Sequence, residues 1–199
     1  LKDRNLAVVC DPYDKTIGLT LPKLKADLVT LSHAAPGHSY AEGVKEWRKV
    51  FTGPGEYEVD SVFITGVAST HGKNAEGHAD PNTIFIFEFP EMTVAHLGDL
   101  GHVLTQAQVE AMPNIDVLLV PVGGRYTLDA AMAAEVISII EPRIVIPMHY
   151  RMEGTPEHLD PLERFLKEMG LPTPEPVSTL RITKAQLPEE TQIVVMDIK

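Results

Sequence analysis

The sequence predicts an α/β (α+β) chain built as two sheets with helices outside. The first half reads as short apolar runs joined by hairpin turns, and the second half alternates strand, helix and strand. Apolar residues make up 44% of the 199 residues and charged residues 23%, so the chain can bury a core and is not of disordered composition. No linker divides it, and residues 1–199 read as a single domain.

Residues 6–10 are an apolar run ending at Asp11-Pro12, and residues 28–32 are another ending at His33. Residues 57–59 and 62–67 flank Asp60-Ser61, a hairpin turn pair. Residues 83–89 and 93–97 flank Pro90-Glu91, which predicts a second hairpin. Ile84-Phe85-Ile86-Phe87 is apolar on both faces, as a strand buried on both sides would be.

Residues 117–120 predict a strand. A helix follows over 127–140, with Met132, Val136, Ile139 and Ile140 on one face and a stop at Glu141-Pro142. Residues 144–146 predict the next strand, running into Pro147-Met148-His149. Thr155 and Pro156 can open a helix that buries Leu159, Leu162, Leu166 and Met169 and ends at Gly170. Residues 179–183 and 192–197 close the chain as predicted strands.

The net charge of −11 argues against a nucleic-acid or anionic-membrane surface, which would need a basic footprint. Cys10 is the single cysteine, so neither an internal disulfide nor a cysteine zinc cage can form. A reducing, cytoplasmic compartment is expected. No apolar run has the ~18 residues of a membrane helix, and no signal peptide is recognisable. The chain begins with Leu1 rather than Met, and part of the natural N-terminus is expected to be missing.

Chemistry concentrates on histidine. His33, Asp99 and His149 each lie at or just beyond a predicted strand end, His38 shares the loop of His33, and His71 follows the strand 62–67. Imidazole and carboxylate are natural ligands for zinc, manganese or iron. Any one of these histidines alone would more often be a surface or hydrogen-bonded core residue; five candidates at strand ends shift the balance.

The order Asp11-Pro12, Ser32-His33-x-x-x-x-His38, His71, Gly98-Asp99 and His149 resembles the metallo-β-lactamase superfamily. Its wording is most similar to the small metal-dependent hydrolases related to ascorbate-6-phosphate lactonase. Supporting phrases are Gly53-Pro54-Gly55-Glu56-Tyr57-Glu58, His96-Leu97-Gly98-Asp99-Leu100-Gly101-His102, Pro121-Val122-Gly123-Gly124 and Ile146-Pro147-Met148-His149-Tyr150. The resemblance spans about residues 6–150 and implies a four-layer αβ/βα sandwich with a metal centre at one edge. It also implies an extra first strand, expected to be absent before Leu1.

The sequence departs from the family's His-x-His-x-Asp-His signature: Ala35 stands for the second histidine and Gly37 for the aspartate. The resemblance then implies two depleted half-sites, His33 with His71 and His38 with His149, sharing Asp99. Each retains two histidines and one carboxylate, sufficient for one divalent metal with open positions. One metal at most, zinc or else manganese or iron, or none, is expected. Asp99 and His149 are the expected catalytic residues, and Asp11 is expected to orient the histidine loop without binding metal.

His96 reads as a core residue or one that orients a ligand, and His102 is close enough in sequence to approach Asp99. His78 and His158 read as solvated. Gly123-Gly124-Arg125-Tyr126, before a predicted helix, could hold a phosphate or carboxylate, or could be a plain strand–helix turn. The expected activity is hydrolysis of a small, anionic ester, lactone or phosphoester, with no nucleic-acid or membrane partner and with a homo-oligomer left open. Two rivals remain: a scaffold or binding protein that kept the fold and lost the chemistry, and a nuclease of the same fold, disfavoured by the charge.

Overall fold

The computed structural model describes residues 1–73, 77, 79–155 and 159–197. His78, Pro156 and His158 lie outside the described residues.

The strands in chain order are β1 (Val8–Cys10), β2 (Leu24–Lys25), β3 (Leu28–Thr30), β4 (Val44–Lys45), β5 (Lys49–Phe51) and β6 (Gly55–Val59), followed by β7 (Val62–Lys73), β8 (Ala79–Phe89), β9 (Met92–His96), β10 (Val117–Pro121), β11 (Ile144–Met148) and β12 (Gln192–Ile193). The α-helices are α1 (Gln106–Glu110), α2 (Ala130–Ile140) and α3 (Leu162–Glu168). A small parallel sheet runs β1-β3-β5, and a seven-stranded sheet runs β12-β11-β10-β9-β8-β7-β6. In the larger sheet β6 to β9 form an antiparallel meander, and β9 to β12 pair in parallel.

The predicted hairpins form. Asp60 and Ser61 have φ of 49° and 64°, the pair of positive angles that a tight primed turn needs between β6 and β7. Pro90 and Glu91 join β8 to β9. The two-faced burial of β8 is literal. Ile84 and Ile86 pack with Val136, Phe165 and Leu166 of the helices, whereas Phe85 and Phe87 face Leu6, Val8 and Leu28 of the small sheet. The layers therefore run helices, large sheet, small sheet, and then an outer cover. Behind the small sheet that cover is the β2–β4 pair and a short 3-10 turn at Ala41–Gly43, packed around Val29.

Several element boundaries move; β7, for one, runs to Lys73 rather than 67, which puts His71 inside the strand. Helix α2 starts at Ala130 rather than 127, because the Asp129 side chain accepts from the Met132 amide and Thr127 closes a turn onto the Gly124 carbonyl. Its buried face is Ala130, Ala133, Val136 and Ile137, while Ile139 is exposed. Helix α3 starts only after Pro161, since the Asp160 amide donates to the Gly123 carbonyl and the Asp160 carbonyl accepts from Arg151. Residues 179–183 are not a strand. They carry no regular structure and lay Leu180 and Ile182 over Val94, Val117 and Ile144. Residues 192–197 keep strand pairing only at Gln192–Ile193, with one further bridge between Val177 and Met196.

Parallel pairing places the C-terminal ends of β9 and β11 on one edge, where Asp99 and His149 follow them. At the opposite strand ends Asp116 accepts from the Thr93 amide and the Lys184 ammonium, pinning the C-terminal segment. No helix among the described residues is long and apolar enough to cross a membrane.

Candidate metal centre

Asp99 stands at the centre of the edge, 4% exposed. The chain reaches it through Gly98, whose φ is 57° and where an added Cβ would lie 2.4 Å from the Ser32 Cβ. Only glycine accommodates both the left-handed backbone and that approach. Four imidazoles surround the Asp99 carboxylate. The distances from Nε2 to Oδ2 are 3.7 Å for His33, 3.4 Å for His38, 3.9 Å for His71 and 3.5 Å for His149.

Asp11 follows β1 with φ of 45° and points its carboxylate beneath the histidine loop. It accepts from the Ser32 amide at 2.7 Å and the Ser32 hydroxyl at 2.5 Å, and its Oδ2 lies 3.3 Å from His38 Nδ1. An ionised carboxylate only accepts, so His38 donates from Nδ1, which leaves the lone pair of the neutral ring on Nε2. The Ser32 hydroxyl spends its proton on Asp11, so it accepts from His33 Nδ1 at 3.0 Å. Both rings therefore turn Nε2 towards Asp99, and in their neutral form that atom carries the lone pair. Burial alone would raise the Asp11 pKa; the His38 hydrogen bond, the charges of His96 and His38 and the Ser32 bond hold it below the usual carboxylate range.

His71 lies near the far end of β7. The preceding amide, of Thr70, donates to His102 Nε2 at 3.3 Å, while His102 Nδ1 donates to the Val103 carbonyl at 2.9 Å. His102 thus supports the backbone next to His71. His149 has φ of 52°, and its carbonyl packs so closely on Gly123 that an added Cβ would come within 2.1 Å. Gly123 is accordingly explained by this backbone contact.

Among the described residues the donor atoms fall into three sets, each within 4.8 Å of one another: His33, His71 and Asp99; His38, Asp99 and His149; and Asp11, His33 and His38. In the third set the Ser32 hydroxyl bridges Asp11 and His33, so it is a hydrogen-bond network. The first two fit a divalent cation. Ligands held tetrahedrally at about 2.0–2.1 Å stand roughly 3.3 Å apart, close to the spacings around Asp99. His33 is also neutral at ordinary pH: burial, reinforced by the His38 charge and opposed by Asp99, lowers its pKa to about 4.

Ala35 and Gly37 present no donor. Their loop is tied down by the Ser39 hydroxyl and the His38 amide, both donating to the Ala35 carbonyl, and by the Asp14 amide donating to the Pro36 carbonyl. His96 is 4% exposed and belongs to no ligand set among the described residues. Burial lowers its pKa, against the pull of Asp11. Gly124 and Arg125 have φ of 67° and 65° and form a turn before α2, not its N-terminus. Tyr126 is half exposed, its ring centroid 6.1 Å from that of His71, and the Arg125 guanidinium carbon lies 4.9 Å from the Tyr126 ring centre. Burial pushes the Cys10 thiol up to about 11, which suits no nucleophile.

Sequence reasoning missed Asn82 and Ser69 and the linking role of Ser32. A polar Asn just ahead of an apolar run was the available signal, and it equally suits a strand end.

The sequence matches the family described as "Beta-lactamase superfamily domain" over residues 1–149. The chain belongs to that superfamily. A UPF0173 metal-dependent hydrolase of Pyrococcus abyssi is 36% identical over 136 residues, 65% of this chain and 58% of the relative. The chain thus spans less than two thirds of that relative's length. A UPF0173 metal-dependent hydrolase of Thermoplasma acidophilum is 27% identical over 172 residues, 72% of this chain and 75% of the relative. A crystal structure from Thermotoga maritima, named as a candidate zinc-dependent hydrolase of the metallo-β-lactamase superfamily, aligns with TM-score 0.80 and 38% identity, covering 100% of this chain and 93% of that one. The mixed α/β, sheet-rich architecture is therefore the metallo-β-lactamase fold.

Proposed function

We propose that this superfamily member is a metal-dependent hydrolase that binds one divalent cation beside Asp99. The observation that carries the reading is the convergence of four imidazole Nε2 atoms within 3.4–3.9 Å of one carboxylate oxygen. His33, His38, His71, His149 and Asp99 would hold the cation, with Asp99 supplying the one anionic ligand common to both half-sites. The hydrolase names of the relatives and the zinc named for the Thermotoga maritima protein support the reading. A bound divalent cation supplies Lewis acidity and a water of lowered pKa. The chain's own part is to orient His38 through Asp11 and His33 through Ser32, and to keep Asp99 buried.

We take the substrate to be a small anionic ester, lactone or phosphoester, as in the lactonase-related branch. Arg125 and Tyr126 at the rim are the groups proposed to meet its charge, with Gly123 and Gly124 shaping the turn that presents them. A degenerate centre without catalysis is the second reading, favoured by the donorless Ala35 and Gly37.

Elemental analysis of protein purified without chelators tests the metal. One ion per chain is expected, and two tightly held ions or none would overturn the single-site reading. Asp99→Asn should abolish metal binding and hydrolysis in a folded protein. Retained metal in Asp99→Asn would remove Asp99 from the ligand set.

A further inference from the structure

Asn82, at the start of the buried part of β8, is 2% exposed. Its Oδ1 accepts from the Asp99 amide at 3.0 Å. Its Nδ2 donates to the Ser69 hydroxyl at 2.7 Å and to the Leu97 carbonyl at 3.0 Å. The Ser69 hydroxyl in turn donates to the Asn82 carbonyl at 3.1 Å. The amide of the next residue, Thr83, donates to the carbonyl of Ser32, the residue before His33.

Three segments that bear candidate ligands therefore meet at one dipeptide. They are the end of β3 before His33, the β7 stretch two residues ahead of His71, and the 97–99 turn that ends in Asp99. The β7 stretch and the strand leading to the 97–99 turn both pair with β8, Ser69 lying opposite Asn82, whereas the end of β3 belongs to the other sheet, so no strand pairing fixes all three together. A carboxamide is the side chain that can do this from one position: it offers an acceptor and two donor hydrogens in a plane. Aspartate lacks the donors, and leucine lacks all three groups.

We propose that Asn82 is a positioning residue that sets Asp99 in register with His71 and His33, so that the Asp99 carboxylate lies among the imidazoles. Its consequence for metal rests on the metal-centre reading above, whereas its effect on Asp99 does not. Outer partners of metal ligands typically change metal affinity by about 10- to 100-fold.

The test uses Asn82→Ala and Ser69→Ala in the whole chain, with two measurements on each. Amide hydrogen exchange at Asp99 is read on metal-free protein, and zinc affinity by competition with a chromophoric chelator. Asn82→Ala is expected to speed Asp99 exchange at least about tenfold and to weaken zinc by about tenfold or more. Ser69→Ala, which cuts one of the three Asn82 side-chain bonds and the Ser69 hydroxyl's bond to the Asn82 carbonyl, should show the same signs at a few-fold. A purely structural Asn82 would lower the melting temperature while the folded fraction kept the parent's zinc affinity and Asp99 protection. That result in Asn82→Ala overturns the proposal; if Asn82→Ala does not fold, the same result in Ser69→Ala overturns it. A parent that binds no zinc refutes the metal reading instead, and Asp99 exchange still decides the role of Asn82.

Discussion

The two halves of the candidate centre share Asp99 Oδ2 but are not equivalent. His38 and His149 lie 3.4 and 3.5 Å from it, whereas His33 and His71 lie 3.7 and 3.9 Å away. His38 also leans its Nδ1 directly on Asp11 at 3.3 Å, while His33 reaches Asp11 only through the Ser32 hydroxyl. By resemblance, the His38 half is the one that lost a carboxylate, at Gly37, and the His33 half lost an imidazole, at Ala35. The half deprived of its own carboxylate is thus the one nearest the two carboxylates that remain. A cation in that half would feel Asp99 as a ligand and Asp11 one hydrogen bond away, which makes it the electrostatically favoured half.

That inequality can be broken from either side. His149→Ala or His38→Ala should weaken zinc on the order of 100-fold, and His71→Ala only about tenfold. Chelator competition on the three variants reads the difference, and equal losses would erase the asymmetry.

A pH experiment probes the weaker half. The folded His33 pKa of about 4 lies below its ordinary value of 6.5, so the neutral ring is the form that the fold favours. The stabilisation it contributes is intact above pH 6.5 and declines as pH falls towards 4. In metal-free protein the loss by pH 5 should be about 2 kcal/mol, since one pKa unit is worth about 1.36 kcal/mol. His33→Asn, which cannot titrate, should flatten the denaturation profile between pH 7 and pH 5 by that amount. Parallel profiles for variant and parent would show that His33 is not the group concerned.

Repair of both halves should have the smallest effect. Ala35→His with Gly37→Asp is expected to raise bound zinc from one ion towards two per chain, the second held only about tenfold better than in the parent. Gly37 does not have a left-handed φ, and its added Cβ would meet only the Ile17 Cγ2, at 3.2 Å. An aspartate there requires a side-chain adjustment and no backbone strain. Unchanged stoichiometry in the folded double variant would mean that this loop no longer points into the centre.

Much of this molecule is written locally. Asp60-Ser61 and Pro90-Glu91 specify their hairpins because turn chemistry acts over two residues. Ile84 to Phe87 declare a strand buried on both faces because side chains alternate, and both partner layers are present. The candidate residues His33, His38, Asp99 and His149 could be named because a loop that follows a strand of a parallel sheet is carried to the same edge as its neighbours, whereas His71 lies inside the antiparallel strand β7 and was named with the resemblance. Failures came where neighbours in space outweighed neighbours in sequence. Residues 179–183 look like a strand, but that segment covers the sheet with Leu180 and Ile182 instead of joining it, and the pairing falls to Gln192–Ile193. The start of α3 is displaced because the Asp160 backbone is already bonded to Gly123 and Arg151. Gly123, read from the sequence as an anion cradle or a plain turn, also admits the His149 carbonyl, a contact no local pattern announces. Only the assembled sheets bring Asn82, Ser69, Ser32 and Asp99, spread over residues 32–99, to one point. The reason is that a hydrogen bond across two sheets leaves no periodicity in the chain: residue type and spacing reveal which groups are available, and tertiary packing alone decides which of them meet.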